Sequence, residues 1–299
     1  MRCRKYEIIL FGILIVLTLR LYFINHDIST SSLTDKKSNK TVEIWKGDYD
    51  ILRTVRIENE KAKARAFDDR KKSYVELYPD MYVESIKPVI QLERKKVAYL
   101  TFDDGPSYIT GEILNTLDDY DAKATFFILG CTITEEGEDC LKDMVERGHT
   151  IGIHTYSHNY RSIYSSVEAF LDDFYKAYLL IYETTGVKVN IFRFPWGSYN
   201  NYNKTIRHDL IEEMERRGFT YYDWNISAED SVGNPTEYRI KKNVLKDLER
   251  YRNPIILMHD AAVNHLTART LPDILESMMD NGYIFDTLDH REPYQFGRK

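Results

Sequence analysis

Cysteine is scarce in this 299-residue chain: there are three, and no two are spaced as the CxxC of a metal knuckle. A basic surplus is missing where it would matter. Residues 97–299 carry 21 Lys+Arg against 33 Asp+Glu, net −12, whereas residues 1–96 carry 20 against 14, net +6. Binding to phosphate backbones needs a basic face, so nucleic acid is excluded as a partner of the acidic part. Most of those carboxylates serve solubility. Long apolar runs are also lacking, with one exception at the N-terminus.

That exception is "IILFGILIVLTL" (Ile8–Leu19), preceded by Arg2, Arg4 and Lys5 and continued by "LYFI" after Arg20. Ile8–Ile24 is 17 residues with one charge, at the short end for a membrane span, and Arg20 can snorkel to the far interface. The basic flank predicts an N-terminus held inside and the bulk of the chain outside the cytoplasm. A cleaved signal peptide is the competing reading, and then the product is secreted; no small-x-small site follows Leu19. An external compartment permits a disulfide between Cys131 and Cys140, with two unpaired thiols as the alternative.

The expected organisation has four parts. Residues 1–26 form a basic tip and transmembrane signal-anchor, and 27–95 a polar tether and charged stalk. Residues 96–290 form a catalytic domain and 291–299 a C-terminal tail. Hydrophobic content of 43 %, with 23 Tyr and 13 Phe, is enough for a substantial core. From Val97 onward, short apolar runs alternate with longer amphipathic ones, as in βα units around a parallel sheet. Strands are expected at "KVAYLTF", "ATFFIL", "TIGIH", "NIFRF", "FTYYDW", "PIILMH" and, more weakly, "YIFDTL". Helices are expected over 109–120, 140–147, 167–185, up to 217, 236–251 and 272–281. Seven such units point to a barrel rather than an open sheet.

Strand C-termini and the loops after them carry catalytic groups on such folds. Those positions hold Asp103 and Asp104 in "TFDDGP", His154 and His158 in "HTYSH", Arg193 to Gly197 in "RFPWG", Trp224 to Asp230, and His259 in "LMHD". Two histidines at i and i+4 with a carboxylate make a usual catalytic-metal set that leaves positions open for water and substrate. Thr155 stands where a zinc-protease helix would need glutamate, so the general base comes from elsewhere. One of the paired aspartates supplies it.

These four motifs, in this order, resemble the polysaccharide deacetylase family, the NodB-homology or carbohydrate esterase 4 group. The resemblance covers roughly residues 97–288 and implies a distorted (β/α)7 barrel. It implies Asp103 as catalytic base oriented by Arg193. Asp104, His154 and His158 become ligands of a divalent metal ion, zinc first, with cobalt or iron suiting the same ligands. His259 is implied as general acid paired with Asp230, Asp223 being a second possible partner. The Trp196 N–H would help hold the oxyanion while its ring lines the groove, and Leu257 would receive the acetyl methyl. From their place near the motifs, Trp224 and about two of Tyr156, Tyr160, Tyr164, Tyr199 and Tyr202, Tyr199 first, are expected to meet sugar faces. Ser231 departs from the family, where a Trp often walls the acetyl pocket. The implied reaction is removal of N-acetyl groups from an extracellular polysaccharide, foremost N-acetylglucosamine of peptidoglycan. Exopolysaccharide, chitin oligomers and O-acetyl xylan are alternatives, as is a non-catalytic wall-binding barrel. A glycosidase would need two carboxylates flanking a sugar bond, which sequence neighbours cannot do.

Overall fold

The computed structural model describes residues 56–58, 60–61, 74–85 and 96–297. The chain divides into two units, Met1–Ala64 and Arg65–Lys299; the described part of the first is a helical fragment with an exposed Lys61–Glu58 ion pair at 3.0 Å. The expected membrane segment Ile8–Ile24 lies outside the described residues, among which no helix is long and apolar enough to cross a membrane.

The second unit is built on eight parallel strands: β1 (Lys96–Asp103), β2 (Ala124–Ile128), β3 (Thr150–Ile153), β4 (Ile191–Phe192), β5 (Thr220–Tyr221), β6 (Ile226–Ser227), β7 (Ile255–His259) and β8 (Tyr283–Phe285). Their order is β5-β4-β3-β2-β1-β7-β6, with β8 paired to the start of β1. One expectation is corrected here: among the described residues there are eight strands rather than seven, because β6 is two residues long and half polar, too short to register as an apolar run. The expected distorted barrel of βα units is present, in an open form. β5 and β6 end the strand path, no pairing joins them among the described residues, and the result is a half-barrel. Between those two ends the backbone pairs with the C-terminal segment instead: the Asp223 N–H donates to the Tyr294 carbonyl at 2.8 Å.

β1 is the spine. From Ala98 to Asp103 it is buried, as is all of β2, as expected of parallel strands covered on both faces. Seven helices, α1 (Thr110–Asp119), α2 (Glu135–Glu146), α3 (Tyr160–Ile163), α4 (Val167–Thr185), α5 (Arg207–Arg216), α6 (Glu237–Leu245) and α7 (His265–Asp280), follow the strands. α2 starts five residues before the expected Cys140, because Thr134 caps it and Glu135, Glu136 and Glu138 complement its N-terminal dipole. α4 has the expected bounds, set by the Ser166 cap and left-handed Gly186. α7 starts seven residues before Pro272, which lies within it. Its buried stripe of Ala268, Leu271, Ile274, Leu275 and Met278 carries the helix through the proline. Cys131 and Cys140 are free thiols, so the unpaired reading holds.

Residues 74–85, expected within the stalk, are strapped onto the domain. Fully buried Arg217 donates to the carbonyls of Tyr74, Leu77 and Tyr78 at 3.0, 2.8 and 3.1 Å and to Glu213 at 2.7 Å. The Tyr78 ring stacks on Tyr175 at 4.1 Å and its hydroxyl donates to Asp172. Left-handed Gly218 (φ +90°) meets the Val83 carbonyl where a Cβ has no room. Replacing Arg217 takes the donor from the Leu77 carbonyl, one of two donors from the Tyr74 and Tyr78 carbonyls, and one of the two arginines from buried Glu213, which Arg216 still holds. Arg217→Met is therefore expected to cost about 1–3 kcal/mol, read by urea unfolding, with residues 74–85 becoming the first site of proteolysis.

Candidate active site

Parallel register brings the first two groups together: Asp103, the last residue of β1, is paired with His259, the last of β7. β3 ends immediately before His154 and β4 immediately before Arg193, so four strands of one parallel sheet deliver their polar ends to one mouth. Asp104, His154 and His158 place one ligand atom each within 4.8 Å of one another. His154 Nε2 and His158 Nε2 lie 3.5 and 3.7 Å from Asp104 Oδ1.

The donor set fits a divalent cation. Asp104 Oδ1 is buried without any hydrogen-bond partner, a costly state for a carboxylate oxygen unless something positive faces it. Burial pushes the His154 pKa down to about 3. Its Nδ1 lies 2.9 Å from the Arg193 carbonyl; with the ring neutral, Nδ1–H donates there and the Nε2 lone pair faces the other two ligands.

Asp103 lies beside this triad but is held from the other side. Its Oδ1 accepts from Arg193 Nη1 at 2.7 Å. Arg193 is fully buried and also donates to Thr101 Oγ1 (2.7 Å), the Tyr222 carbonyl (2.9 Å) and the Asp223 carbonyl (3.4 Å). Burial pushes the Asp103 carboxyl up; the Arg193 and His259 charges pull against it. Across the mouth, His259 Nδ1 lies 2.8 Å from Asp230 Oδ1, and the His259 N–H donates to Asp230 Oδ2 at 2.8 Å. Burial works to lower the His259 pKa, but the Asp230 hydrogen bond and charge, with the Asp103 and Asp104 charges, outweigh it and carry the pKa up to about 9. Asp223 does not partner His259; its carboxylate is taken up by Ser198 and Phe296.

The groove residues divide. Leu257 shares a strand face with His259 and is buried. The Trp196 ring is 41 % exposed and lies 4.3 Å from His158, with Tyr160 and Tyr202 beside it. Trp224 instead packs behind the site, 5.6 Å from the Arg193 guanidinium. Tyr199 sits 3.7 Å from the Arg207 guanidinium and lines a cavity of about 580 Å³ along α5 that none of the triad, Asp103 or His259 touches. Ser231 accepts from Asn264 Nδ2 at 2.9 Å, and the same amide donates to the Asp230 carbonyl.

Several supporting residues had no place in the sequence reading. Thr267 Oγ1 donates to Asp230 Oδ2 at 2.7 Å. Asp173 on α4 accepts from the Tyr156 and Ser157 N–H groups, fixing the loop between the two histidines. Asp260, which the sequence places at a strand end in "LMHD" without assigning it a task, has its pKa pushed up to about 7 by burial, accepts from Thr110 and gives its N–H to the Asp103 carbonyl. Asp173 had a visible signal: a carboxylate on the helix face shared by Phe170, Phe174 and Ala177. The backbone is under tension here too. Asp104, Thr155, His158, Trp196 and Glu229 all have positive φ, a conformation that non-glycine residues keep only where their surroundings over-determine it.

Fold and site together define a polar centre at the mouth of a parallel half-barrel, with a candidate cation triad between a buried carboxylate and a charged histidine. A polysaccharide deacetylase family model matches residues 91–219. A peptidoglycan-N-acetylglucosamine deacetylase of Bacillus cereus is 34 % identical over 207 residues, 68 % of this chain and 72 % of that protein. The catalytic domain of peptidoglycan N-acetylglucosamine deacetylase from Eubacterium rectale superposes with a TM-score of 0.64 at 32 % identity, covering 74 % of this chain and 98 % of that one. A polysaccharide deacetylase from Bacillus cereus superposes with a TM-score of 0.60 at 33 % identity, covering 68 % and 97 %. The chain belongs to the polysaccharide deacetylase family.

The two adjacent carboxylates are expected to separate on mutation. Asp104→Ala should abolish stoichiometric zinc or cobalt binding, read by metal analysis after dialysis. Asp103→Asn should keep the ion and lose at least about 100-fold in turnover, the span of one acid–base group.

Proposed function

We propose that the chain hydrolyses N-acetyl groups from an extracellular polysaccharide, with N-acetylglucosamine of peptidoglycan as the substrate. The observation that carries this reading is the pairing of Asp103 with Arg193 and of His259 with Asp230 on two sides of one Asp–His–His triad. Asp104, His154 and His158 hold a divalent ion, zinc foremost. When bound, the ion polarises the acetyl carbonyl and lowers the pKa of a coordinated water.

Asp103 takes the proton of the attacking water, and Arg193 keeps that carboxylate ionised and aimed. The Trp196 N–H donates to the developing oxyanion. Leu257 packs against the acetyl methyl, and the exposed Trp196 ring, with Tyr160 and Tyr202, offers apolar faces for a sugar. His259, protonated through neutral pH, delivers its proton to the departing amine nitrogen, which would otherwise be a poor leaving group. Acetate and a free amine result, and the amine makes the polymer more cationic. The basic, apolar N-terminus supports a membrane-anchored enzyme with this domain outside the cytoplasm, where peptidoglycan is accessible.

Incubating the full chain with N-acetylated glycan oligomers should release acetate and lower product mass by one acetyl per event, without shortening the glycan. A chelator should stop release and added zinc restore it. Acetate release that persists after complete metal removal would sink the metal assignment, and shortened glycans would sink the reaction.

The pH profile offers a second check. A proton donor with a pKa of about 9 is lost as pH rises through that value, so activity should fall on the alkaline side near it. Asp230→Asn removes what holds the proton on His259, so the alkaline limb should move to lower pH; an unmoved limb would assign it to another group.

A further inference from the structure

Asp223 is fully buried, and the chemistry above does not use it. Its carboxylate is nonetheless saturated. Oδ1 accepts from the Ser198 N–H at 2.8 Å; Oδ2 accepts from the Ser198 hydroxyl at 2.5 Å and from the Phe296 N–H at 2.7 Å. The main chain of Asp223 adds two more ties. Its N–H donates to the Tyr294 carbonyl at 2.8 Å, and its carbonyl accepts from Arg193 Nη2 at 3.4 Å. One residue thus joins the loop after β4, the C-terminal segment and the arginine that holds Asp103.

The loop it joins is a strained one. Trp196 and Gly197 are consecutive left-handed residues, φ +62° and +80°, and such a conformation costs a bulky L-residue about 1–2 kcal/mol. Ahead of the bend, the Tyr164 hydroxyl and Asn200 Nδ2 both donate to the Pro195 carbonyl. Behind it, Ser198 is held by Asp223, and Asn203 Nδ2 caps the Ser198 carbonyl at 2.9 Å. A wall closes the third side. A Cβ on Gly197 would lie 3.0 Å from the Phe296 ring and 3.1 Å from the Trp224 ring, and those rings meet edge-on at 5.1 Å. Phe296 is in the last residues of the chain. It reaches this place because Asp223 takes its N–H and Gln295 Nε2 donates to the Tyr221 carbonyl at 3.3 Å.

We propose that Asp223 is a positioning residue, and that it acts together with the C-terminal segment Tyr294–Gly297 to hold the Trp196–Ser198 bend in the conformation that turns the Trp196 N–H toward the reacting carbonyl. The C-terminal segment is then part of the catalytic apparatus rather than a tail. It fills the opening between β5 and β6, where a closed barrel would have a strand–strand pair. Freed of Asp223 and Phe296, the bend has no reason to keep two left-handed residues, and it relaxes to a form in which that N–H points elsewhere. This inference rests on the deacetylation proposed above for the purpose of Trp196, though not for the bend itself.

Two variants of the full chain separate positioning from packing. Asp223→Asn keeps the shape but puts an amide with one acceptor oxygen where three donors converge. A chain ending at Pro293 removes the segment and leaves Asp223. Each should lower kcat by about tenfold or more, equivalent to roughly 1.4 kcal/mol of lost transition-state stabilisation, with KM within about twofold and metal content unchanged. Combining them should cost little beyond the larger single effect, because both act on one bend. Amide hydrogen exchange needs no substrate and so judges the bend even if the wild-type chain releases no acetate. Exchange at Gly197 and Ser198 should accelerate in both variants while β1 stays protected. Unchanged exchange at those amides, wild-type kcat in either variant, fully additive losses, or acceleration spread over the whole domain would overturn the proposal.

Discussion

A fully buried guanidinium organises this molecule. Arg193 has no solvent to share its charge, so each of its donors must find an acceptor inside the protein, and a buried cation with an unpaired donor would be costly. The acceptors come from one strand and the loop between two others: Asp103 and Thr101 on β1, and the carbonyls of Tyr222 and Asp223 between β5 and β6. Its own carbonyl lies 2.9 Å from His154 Nδ1. One residue therefore fixes Asp103, the orientation of the His154 ring in the candidate cation triad and the edge of the half-barrel. The Phe127 ring, 4.2 Å from the guanidinium, closes the remaining side. Stability and chemistry are hard to separate at such a residue, since the geometry that satisfies the charge is the geometry that presents Asp103.

The strain at the mouth follows from the same economy of space. Strands in parallel register place their C-terminal side chains on alternating faces, yet the site needs Asp103 and Asp104, next to each other in sequence, to serve one small volume. Alternation would send them apart. The chain resolves this at Asp104, where φ is +72°, bending the backbone so that the second carboxylate returns toward the histidines. Thr155 and His158 make comparable concessions on the β3 loop, and Asp173 secures that loop through two N–H groups. The β3 loop and the Trp196 bend are each matched by a buried carboxylate from a different element, Asp173 and Asp223. The anchors are the means by which a rigid α/β scaffold holds conformations that an isolated loop would abandon.

This division explains what could be read from the sequence. Asp103, Asp104, His154, His158, Arg193 and His259 were legible because each follows an apolar run at a strand end, and strand position follows from hydrophobic pattern. Asp230 was placed after the fifth strand by the same reading, but its pairing with His259 was legible only through family resemblance. The anchors were not: Thr101, Thr267 and Asp173 are single polar residues whose partners lie 16 to 155 positions away, a distance that no local pattern encodes. β6 was missed for a related reason, as its two residues are strand because β7 pairs with them, not because their own composition demands it. Residues 74–85 looked like stalk because their charged sequence hides the few contacts, Tyr74, Met81 and the carbonyls facing Arg217, that fasten them. The expected membrane anchor at Ile8–Ile24 rests on the sequence alone and lies outside the described residues.

The two adjacent aspartates show how environment assigns duties that sequence leaves symmetrical. Asp103 has an oxygen bound by a buried guanidinium, lies in register with His259 and is almost wholly buried, so its charge is compensated from within the protein. Asp104 has an oxygen with no protein partner, pointed at two imidazole nitrogens, so its charge calls for compensation from outside the chain. A carboxylate already satisfied by an arginine gains little from a cation, whereas one left orphaned gains much. The reverse assignment would strip Arg193 of its acceptor and leave the orphaned oxygen unexplained. The roles proposed for the two therefore rest on which charge the protein has already answered.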